Sequence, residues 1–204
     1  MPFKPFFSSR KPESAVEFII VVSGLPRSGT SMMMQILQAG GLEIMTDQQR
    51  TADDDNPKGY YEFERVKKMK DGDNKWVKDA RGKVVKVISA LLEFLPAGHS
   101  YKVIFMHRKM DEILASQKQM LVRRSEPTDK ASDATLADLF SRHLQKIEAW
   151  LAGQSNIEVL YIQYDEFLSN PGPHIDSLVA FLGLPLDSQA MASVPDQKLY
   201  RQRK

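Results

Sequence analysis

The sequence predicts an α/β fold: a three-layer αβα arrangement around a central, mostly parallel sheet. Short apolar, β-branched runs alternate with longer segments of helical periodicity, the pattern of parallel strands joined by crossover helices. The runs are almost continuously apolar rather than alternating, which suits strands covered on both faces. A chain of 204 residues with 42% hydrophobic content fits one domain that buries a core without disulfides or a structural metal.

The first strand is expected at Phe18 to Ser23, "FIIVVS", followed by a helix from Thr30 to Ala39 that stops at Gly40-Gly41. Strands follow at Val84 to Ile88 and Lys102 to Met106. The second of these runs into a helix from Met110 to Val122, and a further helix covers Ala134 to Ala152. Val159 to Gln163 is the fourth strand, and His174 to Leu182 is a helix closed by Gly183. Two loops stand out: Thr46 to Gly59, acidic and then "NPKG", and Arg123 to Ser132, polar with Pro127. The single domain spans 1–204, with its core at about 18–187 and peripheral tails at 1–15 and 195–204. No repeat or low-complexity segment interrupts it.

Composition excludes several functions. With no cysteine there is no disulfide, no Cys-ligated zinc and no Cys nucleophile, which fits a reducing compartment, and the cytoplasm is the expected location. No window approaches the roughly 20 apolar residues of a membrane span, and the opening lacks an apolar signal stretch. A net charge of +2 with scattered basic residues leaves no footprint for nucleic acid; only the ending "YRQRK" is locally basic.

In a doubly wound sheet, ligands bind beyond the carboxyl ends of the strands. After the first strand stands "GLPRSGTS", Gly24 to Ser31. Its glycines permit positive φ and close approach, so successive amides can converge on an anion at a helix N-terminus. Thr30 and Ser31 add hydroxyls, and Arg27 adds a permanently charged planar fork for phosphate oxygens. The Gly-Lys-Ser/Thr ending of a nucleoside triphosphatase loop is missing. The alternative reading is a proline-containing turn with Thr30 as a helix cap, needing no ligand. After the third strand, Arg108 and Ser116 lie eight residues apart, two helical turns, so both can reach one phosphate beside the loop.

"GLPRSGTS" resembles the 5'-phosphosulfate loop of sulfotransferases that use 3'-phosphoadenosine 5'-phosphosulfate, and "RKMDEILAS" resembles their later arginine-and-serine signature. "NPKGYYEFE", Asn56 to Glu64, is similar to the Asn-Pro-x-Gly-Tyr-Phe/Tyr-Glu segment of bacterial members. Val159 to Asp187 is similar to the late strand, Tyr-Asp/Glu-x-Leu turn and Phe-Leu-Gly-Leu helix end, in which Phe181, Leu182 and Leu184 are expected in the core. The likeness runs from about Phe18 to Asp187 and implies the P-loop nucleoside triphosphate hydrolase-like form of the αβα fold.

The implied reaction moves a sulfuryl group to a hydroxyl or amine without a metal, leaving adenosine 3',5'-bisphosphate. Pro26, Arg27, Ser28, Gly29, Thr30 and Ser31 are implied to hold the 5'-phosphosulfate, and Arg108 with Ser116 the 3'-phosphate that ATP lacks. Arg27 and Glu62 are the implied catalytic residues; Lys86, inside an apolar strand, joins the set if it points toward the sulfuryl group, the alternative being that it snorkels to the surface. Glu62 is preferred as general base over Glu64, Asp47 and His107 because it matches the family's glutamate in "GYYE". His107 is expected in the core or behind the site. Asp53-Asp54-Asp55 is read as a solvated acidic loop rather than a magnesium site.

The chain departs from the resemblance in two ways. "VKVISALLEFLP" keeps Lys86 but lacks the Lys-Asp-Pro-Arg element of many bacterial relatives, and the chain is short for the family. Arg201, Arg203 and Lys204 are read as an ordinary basic terminus. The expected partners are the nucleotide cosubstrate and an unidentified acceptor, with homodimer formation open. A P-loop phosphotransferase or triphosphatase, and a non-catalytic nucleotide-binding protein on the same fold, are the alternatives.

Overall fold

A computed structural model describes residues 16–47, 59–128 and 131–196. In chain order the elements are β1 (Phe18–Gly24), α1 (Thr30–Ala39), β2 (Ile44–Met45), β3 (Val84–Lys86), β4 (Ser100–His107), α2 (Met110–Arg123), α3 (Asp133–Ala152), β5 (Ile157–Gln163), α4 (Tyr164–Ser169), α5 (Pro171–Leu182) and α6 (Ser188–Ala192). Three 3₁₀ segments, Glu64–Asp71, Val77–Ala80 and Ser89–Phe94, fill the connections around β3.

The five strands form one sheet in the order β2-β3-β1-β4-β5, and every neighbouring pair is parallel. Period-2 side-chain alternation sorts the strands into two cores. On β1 and β4, Ile20, Val22, Ile104 and Met106 join the layer of α1, α4 and α5. Ile19, Val21, Val103 and Phe105 join the opposite layer, with Trp76, Leu92, Ile147 and Leu151. Truncating a fully buried side chain such as Phe105 would cost about 3–5 kcal/mol. Leu182 is buried, and Phe181 and Leu184 pack against the same cluster, as expected of the late segment.

Three expectations need correction. β5 is an edge strand, so it is not covered on both faces: Glu158, Tyr161 (45%) and Gln163 are exposed, Ile157, Val159 and Leu160 are half-buried, and Ile162 is buried. β3 ends at Lys86, not Ile88, because the chain turns into the 3₁₀ segment at Ser89. α5 begins at Pro171 rather than His174; proline's fixed φ and missing N–H suit the first helical turn. The two-residue β2 and the 3₁₀ segments were not expected, being too short for a periodic signal.

After β1 the chain builds β2 and β3 on one side, then crosses to β4 and β5 on the other. That reversal opens a crevice beyond the carboxyl end of β1. Gly24, Lys86, Arg108 and Tyr164 all stand at or directly after the carboxyl ends of β1, β3, β4 and β5. No helix among the described residues is long and apolar enough to cross a membrane.

Candidate functional site

The crevice holds a cavity of about 470 Å³, within the range of small-molecule sites. It is built on the loop between β1 and α1. Gly24 has φ 143, and a Cβ there would come within 2.6 Å of the Met106 carbonyl oxygen, so the loop leaves the sheet by lying against β4. Gly29 has φ 100 and is the N-cap of α1, with no side-chain capping bond. Thr30 is therefore inside the helix and does not cap it. Gly29 carries no side chain to occupy the first turn of α1, which leaves the helix N-terminus suited to an anion.

Arg27 is one of three described non-glycine residues at positive φ, at 73°. A side chain in the left-handed region costs about 1–2 kcal/mol. The surrounding contacts hold it there. Its Nε donates to Ser116 Oγ on α2 at 2.9 Å, and its carbonyl oxygen accepts from an Arg108 terminal nitrogen at 3.0 Å. The two motifs of the sequence thus meet directly.

Arg108 is fixed from three sides. Its Nε donates to Glu112 Oε2 at 2.9 Å, one helical turn along; the arginine side chain is 8% exposed and the glutamate 0%. The guanidinium also lies 4.6 Å over the Tyr164 ring. Tyr164 in turn packs on Gly29, where a Cβ would fall 2.3 Å from a ring carbon. Burial pushes the Tyr164 hydroxyl above its ordinary pKa, against the opposing pull of Arg108 and Arg27, so the ring stays neutral beneath the cation.

Lys86, at the end of β3, donates from Nζ to Ser31 Oγ at 3.1 Å and to the Tyr60 carbonyl oxygen at 2.8 Å. Its stem crosses the apolar sheet end while the ammonium reaches the cavity. Glu62 stands on the same wall, its Oε2 3.4 Å from Lys67 Nζ. The Lys67 ammonium is held above its ordinary pKa mainly by a hydrogen bond to Glu64, with Glu62 adding to the effect.

Of the sequence-derived site residues, Pro26, Arg27, Gly29, Thr30, Ser31, Glu62, Lys86, Arg108 and Ser116 all line this cavity. Ser28 does not: it is buried under the loop, and its Oγ has no hydrogen-bond partner and would sit 2.5 Å from a Cβ at Gly24. The other base candidates stand elsewhere. Asp47 Oδ2 accepts the Glu64 amide at 2.7 Å, and His107 packs between the Phe105 and Tyr161 rings with Nε2 3.4 Å from Glu148. Asp53, Asp54, Asp55, most of the "NPKG" stretch, Arg201, Arg203 and Lys204 lie outside the described residues.

Sequence reasoning missed Tyr164, Arg123 and Arg124 among the lining residues. Tyr164 is legible in principle, since it directly follows the carboxyl end of a strand, but the late segment is otherwise expected to supply core residues such as Phe181 and Leu182. Arg123, the last residue of α2, and its C-cap Arg124 stand two turns beyond Ser116, a helical period that keeps one face toward the cavity.

Comparisons with known proteins bear on the fold and the family. No curated protein matches the chain. Solved structures do. The sulfotransferase STF1 from Mycobacterium tuberculosis superposes with a TM-score of 0.56 at 17% identity, over 91% of this chain and 74% of that one. The mouse sulfotransferase SULT7A1, complexed with PAP, gives 0.52 at 18% identity, over 88% of this chain and 63% of that one. The sulfotransferase domain from the curacin biosynthetic pathway gives 0.50 at 16% identity, over 87% and 77%. These likenesses carry the fold. A sequence model of the sulfotransferase family matches residues 59–188, well over half of the chain and including Glu62, Lys86, Arg108, Ser116 and Tyr164. On that match, with its fold shared by three sulfotransferases, this chain belongs to the sulfotransferase family.

Proposed function

We propose that the protein transfers a sulfuryl group from 3'-phosphoadenosine 5'-phosphosulfate to a hydroxyl or amine acceptor. The carrying observation is the junction of Arg27, Ser116 and Arg108, two anion-binding motifs joined by hydrogen bonds of 2.9 and 3.0 Å. Two adjacent cationic subsites match a nucleotide with phosphate at both its 5' and 3' positions, and ATP fills only one of them. A structure of the same fold is complexed with PAP, a nucleotide of that kind.

In this reading Arg27, the α1 amides, Thr30 and Ser31 hold the 5'-phosphosulfate, while Arg108 and Ser116 hold the 3'-phosphate. Ser28 contributes through its backbone. Lys86 faces the sulfuryl oxygens from β3, on the side of the loop away from Arg108. The acceptor oxygen attacks sulfur in line, and its proton passes to Glu62. The bond from sulfur to the 5'-phosphate oxygen breaks, and the adenosine 3',5'-bisphosphate that leaves carries the additional negative charge. Arg27 and Lys86 stabilise that charge, so the protein's contribution is positioning and electrostatics, as in phosphoryl transfer. No step needs a metal. The soluble, single-domain cytoplasmic enzyme expected from the sequence is part of the same proposal.

Titration of the purified protein with adenosine 3',5'-bisphosphate and with ATP tests the reading. Tighter binding of the bisphosphate, dependent on Arg108, is expected. Preference for ATP would overturn it in favour of a triphosphatase. Bisphosphate binding with no transfer of labelled sulfate to any acceptor would make the chain a non-catalytic relative.

A further inference from the structure

We infer that the acceptor is an uncharged hydroxyl compound with an apolar body, seated between two 3₁₀ turns on the β3 side of the cavity. This rests on the sulfuryl-transfer reading and specifies its second substrate.

Lys86 Nζ, bonded to Ser31 of the phosphate loop, marks where the sulfuryl group would sit. Ile88 follows two residues later with extended backbone, so it projects to the same side as Lys86, one step farther out. From Ile88 the chain enters a 3₁₀ turn in which the Leu91 amide donates to the Ile88 carbonyl oxygen at 2.9 Å. In such a turn, residues i and i+3 eclipse, so Ile88 and Leu91 present one apolar strip. The facing segment repeats the device. The Val66 amide donates to the Phe63 carbonyl oxygen at 2.9 Å, pairing Phe63 with Val66 directly after Glu62. The two 3₁₀ segments pack against each other, and all four side chains line the cavity.

The polar groups on this side are gathered at one end. Glu62 and Lys86 stand where one reacting hydroxyl would be, and Lys67 is already paired with Glu62 at 3.4 Å and Glu64 at 2.6 Å. An anionic acceptor therefore meets a cation whose charge is balanced. A sugar would have to strip water from several hydroxyls against the Phe63, Val66, Ile88 and Leu91 wall, which offers no side-chain donor or acceptor. Each hydroxyl left unpaired there gives up its hydrogen bonds to water without replacement. An aromatic or aliphatic alcohol gains from the same wall. Ile88, 36% exposed, is surface waiting for such a body rather than part of the packed core.

The test uses the full chain. A titration with adenosine 3',5'-bisphosphate comes first; if it does not bind, the sulfuryl-transfer reading falls and takes this inference with it. The bisphosphate-saturated protein is then titrated by calorimetry with 2-naphthol and with methyl glucoside, and the series is repeated on Ile88→Ser. Naphthol is expected to bind at least about tenfold more tightly than the glucoside, and Ile88→Ser should weaken naphthol by about tenfold while leaving bisphosphate affinity unchanged. Equal or tighter binding of the glucoside, no binding of naphthol, or indifference of naphthol to Ile88→Ser would overturn the inference while the nucleotide reading stands.

Discussion

Arg27 and Ser116 are 89 positions apart in the chain, yet Arg27 Nε donates to Ser116 Oγ at 2.9 Å. The bond ties the loop after β1 to the helix after β4, so the proposed 5' and 3' phosphate subsites are one constellation. Arg27 holds a φ of 73° to make it, a conformation a glycine would adopt without strain. The proposed phosphosulfate contact accounts for an arginine where backbone alone favours glycine. Arg27→Gly should keep or slightly raise the melting temperature while lowering kcat by at least about 100-fold, the scale of losing one positioned electrostatic group. Arg27→Ala should lose the same activity without relieving the backbone. Near-normal turnover in either variant would reduce the loop to a turn.

Glu112 should act as a positioning residue for Arg108. It is fully buried, and its carboxylate fixes the guanidinium that the Arg27 carbonyl and the Tyr164 ring hold from other sides. Glu112→Gln keeps the shape and weakens the bond. Its affinity for adenosine 3',5'-bisphosphate should fall about tenfold or more, matching loss of a charge-assisted hydrogen bond, while affinity for adenosine 5'-phosphate barely changes. Equal losses for both nucleotides would indicate a merely structural role. Glu112→Ala removes the carboxylate that balances a buried cation and should cost about 3–5 kcal/mol in stability, read by chemical denaturation.

Glu62→Gln separates chemistry from binding. The side chain lines the cavity beside Lys67. Removal of a general base should lower kcat by about 100- to 10,000-fold with bisphosphate affinity unchanged. A variant with wild-type kcat would pass the base role to another group.

The parts of this molecule that were legible in the sequence are those whose signal is local. β1, α1 and β4 show in continuous apolar runs and a glycine stop, and α1 has the expected bounds, Thr30–Ala39. The loop after β1 was legible because Gly24, Arg27, Gly29 and Thr30 fall in one short stretch. Glu112 and Tyr164 were not, because their importance lies in what they touch. A glutamate in a helix and a tyrosine after a strand look ordinary until Arg108 is found 2.9 Å from one and over the ring of the other. The 3₁₀ turns at Phe63 and Ile88 were hidden for a different reason: one turn has no period to detect.

Away from the site, His143 makes stability depend on pH. Its Nε2 lies 2.9 Å from the buried Ser89 hydroxyl, joining α3 to the 3₁₀ segment beside the cavity. Burial lowers its pKa below the ordinary 6.5, helped by Lys146 and opposed by Glu93. A depressed folded-state pKa means the unfolded chain takes the proton first. The stability contribution is therefore complete above about 6.5 and lost as pH falls through the lower folded value. His143→Gln should flatten the melting temperature between pH 7 and 5; an unchanged slope would assign the dependence elsewhere.

Gly29→Ala tests whether the two phosphate subsites are coupled through Tyr164. The new Cβ would sit 2.3 Å from a ring carbon of Tyr164, and φ at Gly29 is 100°. The ring cannot move without moving its contact with Arg108, 4.6 Å away. The single variant should lose both melting temperature and bisphosphate affinity. In the double variant with Tyr164→Ala the clash is gone, but the left-handed backbone still costs about 1–2 kcal/mol and Arg108 has no ring beneath it. Melting temperature should recover in part while the preference for bisphosphate over adenosine 5'-phosphate stays low. Full recovery of that preference would show that the ring only fills space, and that Glu112 and the Arg27 carbonyl suffice to aim Arg108.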